Sequence, residues 1–388
     1  MLKTPITLAA VLLASAACAQ GVDQGPKNTD FAPAWDTQTR APAQSSGVTF
    51  AVQELATGLD TPWAVEPLPG GGYILTERAG ALRLVQDGAL GDPIAGLPDL
   101  VTERQGGLLD VALSPDFAQN REIYLSYSKP MSGGKSATAA ARATLSADGT
   151  RLEGLTDIFV QDPPSPTPMH FGGRMVLQDG FLFLTTGEHS SRADRGKAQE
   201  VDKTYGKVVR IRPDGTVPDD NPFDNAVWTL GHRNPQGIDI SPDGTLWTLE
   251  HGPRGGDELN VIVAGENYGW PVVSYGINYG GSPIGSGEPR AEGFKEPQYY
   301  WDPVIAPGGF SFYDGEMFAD WQGDVLAASL NPGGLVRLDM DGERVVGEER
   351  FFDGEFRVWD VKVDLDGAIL ILDSSNGRLL RLTPDTSG

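Results

Sequence analysis

The stretch Pro242-Asp243-Gly244-Thr245-Leu246-Trp247 joins a tight turn to the start of a β-strand, and a similar arrangement recurs five more times along the 388 residues. Asp-Gly is a strong tight-turn signal, and the residues on either side have strand-like composition. The six copies lie roughly 45–80 residues apart, a spacing typical of propeller blades with loop insertions. The other copies are Pro69-Gly70-Gly71-Gly72-Tyr73-Ile74-Leu75, Asn120-Arg121-Glu122-Ile123-Tyr124-Leu125, Gln178-Asp179-Gly180-Phe181-Leu182-Phe183-Leu184, Trp321-Gln322-Gly323-Asp324-Val325-Leu326 and Asp366-Gly367-Ala368-Ile369-Leu370.

This repeat predicts an all-β fold, a six-bladed β-propeller. A βαβ fold would need amphipathic helices between the strands, and the sequence has none of useful length. A β-sandwich or barrel with accidental similarity between its turns is the alternative. Ring closure removes exposed strand edges, so we expect residues 48–52 to lie beside the C-terminal strands around residues 379–382.

The charge balance excludes some classes of partner. The chain has 30 basic and 53 acidic residues, a formal net charge of −23. A nucleic-acid binder needs a basic surface against phosphate, and an anionic membrane surface would also repel this chain. With 50 Gly and 29 Pro, the sequence is instead typical of a globular enzyme or binding protein that is rich in turns.

The N-terminal region resembles a targeting segment followed by a linker. Lys3 precedes a short apolar run and small residues, a pattern typical of a secretory signal peptide over residues 1–19. Lipid attachment at Cys18 is the alternative to cleavage after Ala19. Residues 20–46 are polar and lack a hydrophobic period, so we predict a disordered linker there. Residues 47–388 would form the propeller domain, in a periplasmic or secreted protein.

The four histidines, His170, His189, His232 and His251, all lie in one part of the chain, which indicates loops on one face of the propeller. Their spacing matches no common zinc motif. Gly-Pro turns with nearby acids can supply oxygen ligands to Ca²⁺. The alternative is that these acids, Asp257 and Glu258, are solvated loop residues.

Four longer motifs resemble the soluble quinoprotein aldose sugar dehydrogenases, which depend on pyrroloquinoline quinone (PQQ) and include soluble glucose dehydrogenase. They are Leu230-Gly231-His232-Arg233-Asn234-Pro235-Gln236-Gly237, the Gly252-Pro253…Asp257-Glu258…Asn267-Tyr268-Gly269-Trp270-Pro271 series, and Met169-His170-Phe171-Gly172-Gly173-Arg174 with Arg104-Gln105-Gly106-Gly107-Leu108-Leu109. The resemblance covers about residues 50–384 and implies a six-bladed propeller. It implies oxidation of aldoses at the anomeric carbon to lactones, with electrons passed to an external acceptor.

The resemblance also implies roles for individual residues. His170 matches the base that removes the proton of the anomeric hydroxyl, and Gln105 matches a glutamine near sugar and cofactor. Arg233 and Asn234 match residues that contact the PQQ quinone. Arg357 matches one arginine of a pair near the PQQ carboxylates.

Two calcium sites are implied in the same way. Gly252 and Pro253 match positions whose carbonyl groups hold the catalytic Ca²⁺ beside PQQ. Glu258 and Tyr268 match a second, structural Ca²⁺ site.

The chain departs from soluble glucose dehydrogenase near the PQQ carboxylates. Asn331 lies in a loop where that enzyme has a lysine, and Trp359 replaces the second arginine of the pair. Weaker PQQ binding, or a different cofactor, are the alternatives that these two positions leave open. A calcium-stabilised binding propeller that has lost PQQ and a calcium-dependent propeller hydrolase are the alternative functions.

Overall fold

The computed structural model describes residues 21–386, and its strands form six four-stranded antiparallel sheets. This architecture confirms the predicted six-bladed propeller. The predicted signal peptide, with Cys18, lies outside the described residues. Within residues 21–386 no helix is long and apolar enough to cross a membrane.

The strands follow one another around the ring. Blades 1 to 3 contain β2 (Pro62–Pro67), β3 (Tyr73–Glu77), β4 (Ala81–Gln86), β5 (Ala89–Leu90); β6 (Leu108–Leu113), β7 (Glu122–Met131), β8 (Lys135–Leu145), β9 (Leu152–Val160); and β10 (Gly172–Gln178), β11 (Phe181–Thr186), β12 (Lys207–Ile211), β13 (Val227–Leu230). Blades 4 to 6 contain β14 (Pro235–Ile240), β15 (Leu246–Glu250), β16 (Asp257–Val261), β17 (Tyr299–Trp301); β18 (Pro307–Phe312), β19 (Val325–Ser329), β20 (Gly334–Asp341), β21 (Arg344–Phe351); and β22 (Val358–Val363), β23 (Ile369–Asp373), β24 (Arg378–Pro384) with β1 (Phe50–Thr57). The described helices are α1 (Phe117–Asn120) and the 3₁₀ turns Ser132–Gly134, Arg195–Gln199 and Ala319–Trp321.

Each copy of the repeated turn leads into the second strand of a different blade. These strands are β3, β7, β11, β15, β19 and β23. In β23 all five residues are buried, and successive side chains face different neighbours. Leu370 and Leu372 pack in a cluster with blade 1, whereas Ile369 and Ile371 pack in a cluster with blade 5. The two-residue period of a strand thus joins adjacent blades.

The ring closes where its two ends meet. Strand β1 pairs with β24 in the last blade, and Val52 lies opposite Leu382. This pairing confirms the expected contact between residues 48–52 and the C-terminal strands. The first strand of the chain therefore completes the sheet made by the last three.

Arg174, in the innermost strand of blade 3, links the blades at the central axis. Its guanidinium lies 3.3 Å from an Asp110 carboxylate oxygen and 3.0 Å from one of Asp360, on the innermost strands of blades 2 and 6. It also donates to the carbonyl oxygens of Trp63 and Gln236, in blades 1 and 4. This buried arginine fixes the inner strands on which the loops beside His170 are built.

Residues 21–46, which we call the N-terminal strap, contradict the predicted disordered linker. Gln38 is fully buried and donates to the carbonyl oxygen of Pro297, and Ala41 donates its N–H to the hydroxyl of Tyr299. The prediction from composition was wrong because the strap is ordered by hydrogen bonds to buried groups of blades 4 and 5. Its own content of apolar residues does not reveal those partners.

Asp302 provides a test of the strap. Its carboxylate is buried, and within the described chain every hydrogen bond to it comes from Asn28 and Thr29. The double substitution Asn28→Ala with Thr29→Val removes two side-chain donors from a buried anion and should lower the free energy of unfolding by about 1–3 kcal/mol. Denaturant melts measure this. Ser45→Ala, at an exposed strap position, is the control, and equal stability of both variants would contradict the role of the strap.

Candidate active site

His170 and Glu188 form a buried pair at one end of blade 3. His170 precedes β10 and Glu188 follows β11, and His170 Nδ1 lies 2.7 Å from Glu188 Oε1. The two turns touch so closely that a Cβ atom at Gly187 would lie 1.8 Å from the carbonyl oxygen of His170. The close packing of these two turns therefore holds the imidazole next to the carboxyl group.

The protonation of this pair follows from its surroundings. Burial, with the nearby charge of Arg233, holds the pKa of His170 well below its ordinary value, so the ring is neutral at neutral pH. Burial raises the pKa of Glu188 to about 7. The carboxyl partner fixes the ring proton on Nδ1 and leaves the lone pair on Nε2. No described residue makes a hydrogen bond with Nε2, so this nitrogen is available to accept a proton.

The turn that carries His170 is held by two of the predicted site residues. Gln105 Oε1 accepts the backbone N–H of His170 at 2.7 Å, and Asn234 Oδ1 accepts that of Gly172 at 3.1 Å. His170 has a φ of 48°, in the left-handed region that is costly for a residue with a Cβ. The structure therefore brings Gln105, His170 and Asn234 together from three different blades or loops.

A second histidine–glutamate pair repeats the arrangement in blade 4. His232 Nδ1 lies 2.8 Å from Glu250 Oε1, and both pairs are separated by 18 residues in sequence. In this pair Nε2 is also engaged, by the hydroxyl of Thr229 at 2.9 Å, and the ring stacks on Tyr268. His232 is fully buried and packs inside the protein, so only the blade 3 pair has a free ring nitrogen.

His189 is also internal, because Nδ1 lies near the carbonyl oxygen of Thr167 and Nε2 near Gln161 Oε1. His251 lies closer to the predicted site. Desolvation, followed by the charge of Arg233 and more weakly that of Arg357, lowers the pKa of His251 to about 3. Arg233 thus lies near both His170 and His251, and Arg357 lies near His251.

Arg233 is fixed in place without an acidic partner. Its backbone N–H donates to Glu250 Oε2 at 2.8 Å, and its Nη1 donates to the carbonyl oxygen of His251 at 3.0 Å. Its guanidinium lies 5.4 Å from the ring centre of Trp270. Because no ion pair to Arg233 occurs within residues 21–386, its charge is available to an anionic ligand.

The four residues predicted to hold calcium line one small cavity together. Gly252, Pro253, Glu258 and Tyr268 all contribute to its wall, and so does Arg233. In the described chain, no hydrogen bond reaches the carbonyl oxygens of Gly252, Pro253 or Tyr268. The hydroxyl of Tyr268 is occupied, since it donates to Val261 and accepts from Val263. A cation here would therefore take main-chain oxygens.

Glu258 is the acid of this cavity. Burial, and then the nearby charge of Glu250, raises the pKa of Glu258 well above its ordinary value. Asn260 Nδ2, at 3.4 Å, is its only hydrogen-bond partner among the described residues, and no Lys or Arg there forms an ion pair with it. An acid in these surroundings is stabilised by a bound cation. No group of three His, Cys, Asp or Glu side chains that could hold a metal occurs within residues 21–386.

Asp257 has a different role from its neighbour. It is fully buried, and its carboxyl group accepts the N–H of Gly252 at 2.8 Å and that of Ala306 at 2.7 Å. Burial raises its pKa to about 7. Asp257 braces the Gly252 loop from inside, which excludes the alternative that it is a solvated loop acid.

The structure also shows where Asn331 and Trp359 lie, the two positions at which the chain differs from soluble glucose dehydrogenase. Asn331 is exposed, and its backbone N–H donates to the carbonyl oxygen of Ile305. Trp359 packs partly buried beside Trp63, with ring centres 6.3 Å apart, and its Nε1 is buried without a partner. Neither position carries a cation, and Arg357 remains exposed next to Trp359.

Glu188 and Trp270 were not predicted as site residues from the sequence. Trp270 contacts both Arg233 and Arg195 through its ring face. The pairing of Glu188 with His170 has a sequence signal, the shared separation of 18 residues in blades 3 and 4. That signal becomes visible only after the strands are assigned to blades.

Comparison with known proteins shows that this chain is similar to sugar dehydrogenases. A family model described as glucose / sorbosone dehydrogenase matches residues 59–381. The aldose sugar dehydrogenase YliI of Escherichia coli (strain K12) is 41% identical over 350 residues, which cover 87% of this chain and 93% of that protein. The crystal structure of the soluble aldose sugar dehydrogenase from Escherichia coli in its apo form has a TM-score of 0.83 at 40% identity and covers 87% of this chain and 100% of its own. The PQQ-bound aldose sugar dehydrogenase from Streptomyces coelicolor has a TM-score of 0.73 at 27% identity, with coverage of 88% and 99%.

Proposed function

Because this chain belongs to the glucose / sorbosone dehydrogenase family of oxidoreductases, we propose that it oxidises aldoses at the anomeric carbon to lactones with PQQ and Ca²⁺. The observation that carries the proposal is the neutral His170, fixed by Glu188 and with Nε2 free to accept a proton. A buried base held in this way is suited to deprotonate a sugar hydroxyl near neutral pH.

His170 Nε2 accepts the proton of the anomeric hydroxyl while the C1 hydrogen leaves with its electron pair. The C1–O bond becomes the carbonyl of the lactone, so the sugar loses two electrons and two hydrogens. PQQ, when bound, supplies the acceptor for the hydride. Glu188 holds the imidazole in orientation and stabilises the positive charge that it gains.

The residues around His170 fit a planar polyanionic cofactor. Arg233 and Arg357 have no acidic partner within the described chain, in a protein whose net charge is −23. PQQ carries three carboxylates, and forked guanidinium groups suit them. Arg233, Asn234, Gln105 and Arg357 would hold the cofactor, and this set compensates in part for Asn331 and Trp359.

Calcium fits the cavity lined by Gly252, Pro253, Glu258 and Tyr268. Carbonyl and carboxylate oxygens are its preferred ligands, and three carbonyl groups there accept no hydrogen bond from the described chain. We assign Gly252 and Pro253 to the ion beside PQQ and Glu258 and Tyr268 to a structural ion.

We further propose an external electron acceptor and a periplasmic or secreted location. The location rests on the signal-like residues 1–19, with lipid attachment at Cys18 as the alternative to cleavage. Labelled periplasmic and membrane fractions from cells that express the full chain would separate the two forms.

Reconstitution tests the function directly. Apoprotein incubated with PQQ and Ca²⁺ should reduce a redox dye when an aldose is added, and omission of sugar, PQQ or Ca²⁺ should each remove the signal. Dye reduction that does not depend on PQQ would contradict the cofactor assignment. Absence of dye reduction with every aldose, in protein that demonstrably binds PQQ, would contradict the activity.

The dependence of turnover on pH should reflect the ionisation of Glu188. Because burial raises its pKa to about 7, its ionised fraction rises as the pH increases through that value, and the anion makes His170 Nε2 more basic. Turnover should therefore rise with pH around 7, whereas Glu188→Gln should remove this step and lower turnover. The measurement is kcat between about pH 5 and 9 at saturating sugar. An unchanged step in the glutamine variant would assign it to another group.

A further inference from the structure

A second cavity is lined by residues of blades 3 and 4 and includes Glu188, the partner of His170. Glu188 and Arg233 form its inner wall, and Trp270 forms part of its side. Its outer wall comes from the loop after β11, with Arg192 and Arg195, and from Tyr279 in the loop between β16 and β17. The reaction proposed above does not use these outer residues.

The cavity concentrates positive charge that no ion pair within residues 21–386 neutralises, and Glu188 on its inner wall is an acid whose pKa is affected by both Arg233 and Arg195. Arg192, Arg195 and Arg233 form no ion pair within residues 21–386. Asp194, which lies between two of them in sequence, pairs with Lys197 instead. At physiological ionic strength charges are screened over about 8 Å, so these local guanidinium groups, rather than the acidic protein as a whole, determine what the cavity attracts.

Tyr279 adds a feature typical of sugar binding. Tyr279 is 73% exposed, which is unusual for a large aromatic residue, and it lines the cavity. An exposed aromatic face packs against the apolar face of a sugar ring. Ser190 and Ser191 line the same cavity; the Ser191 hydroxyl is hydrogen-bonded to Asp194, so Ser190 is the one that can donate to a sugar oxygen.

We propose that this cavity is a subsite for an aldose with an anionic substituent, which Arg192 and Arg195 bind while the anomeric carbon faces His170. The proposal rests on the proposed function, since it names the substrate class of the same site. The outer arginines suit a substrate better than the cofactor. Arg192 is exposed in the loop after β11, where a sugar can reach it, whereas Arg233 and Asn234 are buried.

Three sugars test the subsite in the holoenzyme. D-Glucuronate replaces the C6 hydroxymethyl group of D-glucose by a carboxylate, and D-glucose 6-phosphate carries a phosphate at the same position. The wild type should have a higher kcat/KM for at least one anion than for D-glucose, and comparison of the two anions identifies the substituent. A charge-assisted hydrogen bond corresponds to about a ten- to hundredfold preference. If neither anion is favoured over D-glucose, the proposal is overturned.

The double substitution Arg192→Gln with Arg195→Gln should lower the ratio of kcat/KM for the favoured anion to that for D-glucose about ten- to a hundredfold. Arg212→Gln is the matched control, because the guanidinium of Arg212 donates only to Thr216 and Val217 in the described chain, away from this cavity. The control should keep the wild-type ratio. An unchanged ratio in the double variant would overturn the proposal.

Two binding measurements separate the sources of the effect. Fluorescence titration of PQQ into the apoprotein with excess Ca²⁺ should give the same dissociation constant for wild type and double variant. Weaker PQQ binding together with an unchanged sugar ratio would assign the arginines to the cofactor and overturn the proposal. If no sugar is oxidised, the proposed function fails, but calorimetric titration of D-glucuronate still tests the subsite. Binding lost in the double variant supports it, and binding equal in the two proteins or absent from both overturns it.

Discussion

Replacement of His170 by alanine is expected to lower the turnover number by roughly 10²–10⁴-fold, the usual loss for a general base. His170 Nε2 makes no hydrogen bond with any described residue, whereas Nδ1 is fixed by Glu188. Removal of the ring thus takes away the proton acceptor, while the residues assigned to PQQ remain. The measurements are kcat by dye reduction after reconstitution and the PQQ dissociation constant by fluorescence titration. We expect the loss in kcat to be far larger than any change in PQQ affinity.

The related pair in blade 4 provides the control for this experiment. His232 has the same sequence separation from its glutamate, but both of its ring nitrogens are bonded inside the protein. His232→Ala should therefore lower the melting temperature, because it leaves buried polar groups without partners. If His170→Ala keeps its turnover, His170 is excluded as the base, whatever His232→Ala does.

The propeller could be predicted because its repeat is local. Each copy of the turn, such as Asp243-Gly244 before β15, specifies one hairpin through residues adjacent in sequence. Six such hairpins at blade-like spacing leave few other architectures, and closure then follows from the need to cover strand edges. The N-terminal strap could not be predicted, since Gln38 and Asn28 are ordered by partners more than 250 residues away. Composition detects apolar burial but not distant hydrogen bonds.

The residues of the candidate site also fall into two groups: those that sequence motifs could predict and those that only the fold reveals. His170, Arg233 and Asn234 stand within motifs, so the resemblance identified them, and the structure brings them to one end of the propeller. Glu188 was not predicted because its partner, His170, lies before β10 whereas Glu188 lies after β11. Only the assignment of strands to blades shows that these two turns meet. Arg192 and Arg195, in the loop after β11, were not predicted because a single exposed arginine in a sequence is common. Their lack of ion pairs is a property of the folded chain.

The calcium sites are expected to contribute measurably to stability. Glu258 lies beside Glu250, and no Lys or Arg of the described chain forms an ion pair with it. Burial raises its pKa, so the ionised form of Glu258 is unfavourable until a divalent ion binds beside it. An ion that binds only the folded protein stabilises it by about 2.7 kcal/mol at one hundred times its dissociation constant. The melting temperature should therefore rise by several degrees between excess chelator and excess Ca²⁺, and chelation should also abolish activity.

Glu258→Gln should lose much of this calcium-dependent rise, because the amide keeps the size of the side chain but removes its charge. Asp324→Asn is the matched control, since Asp324 is a buried acid paired with Arg337 in blade 5, away from the cavity. It should melt at a lower temperature in both conditions and keep the full calcium increment. A melting temperature of the unsubstituted protein that is insensitive to chelator would remove the structural ion. A full increment in Glu258→Gln would instead assign that ion to ligands other than Glu258.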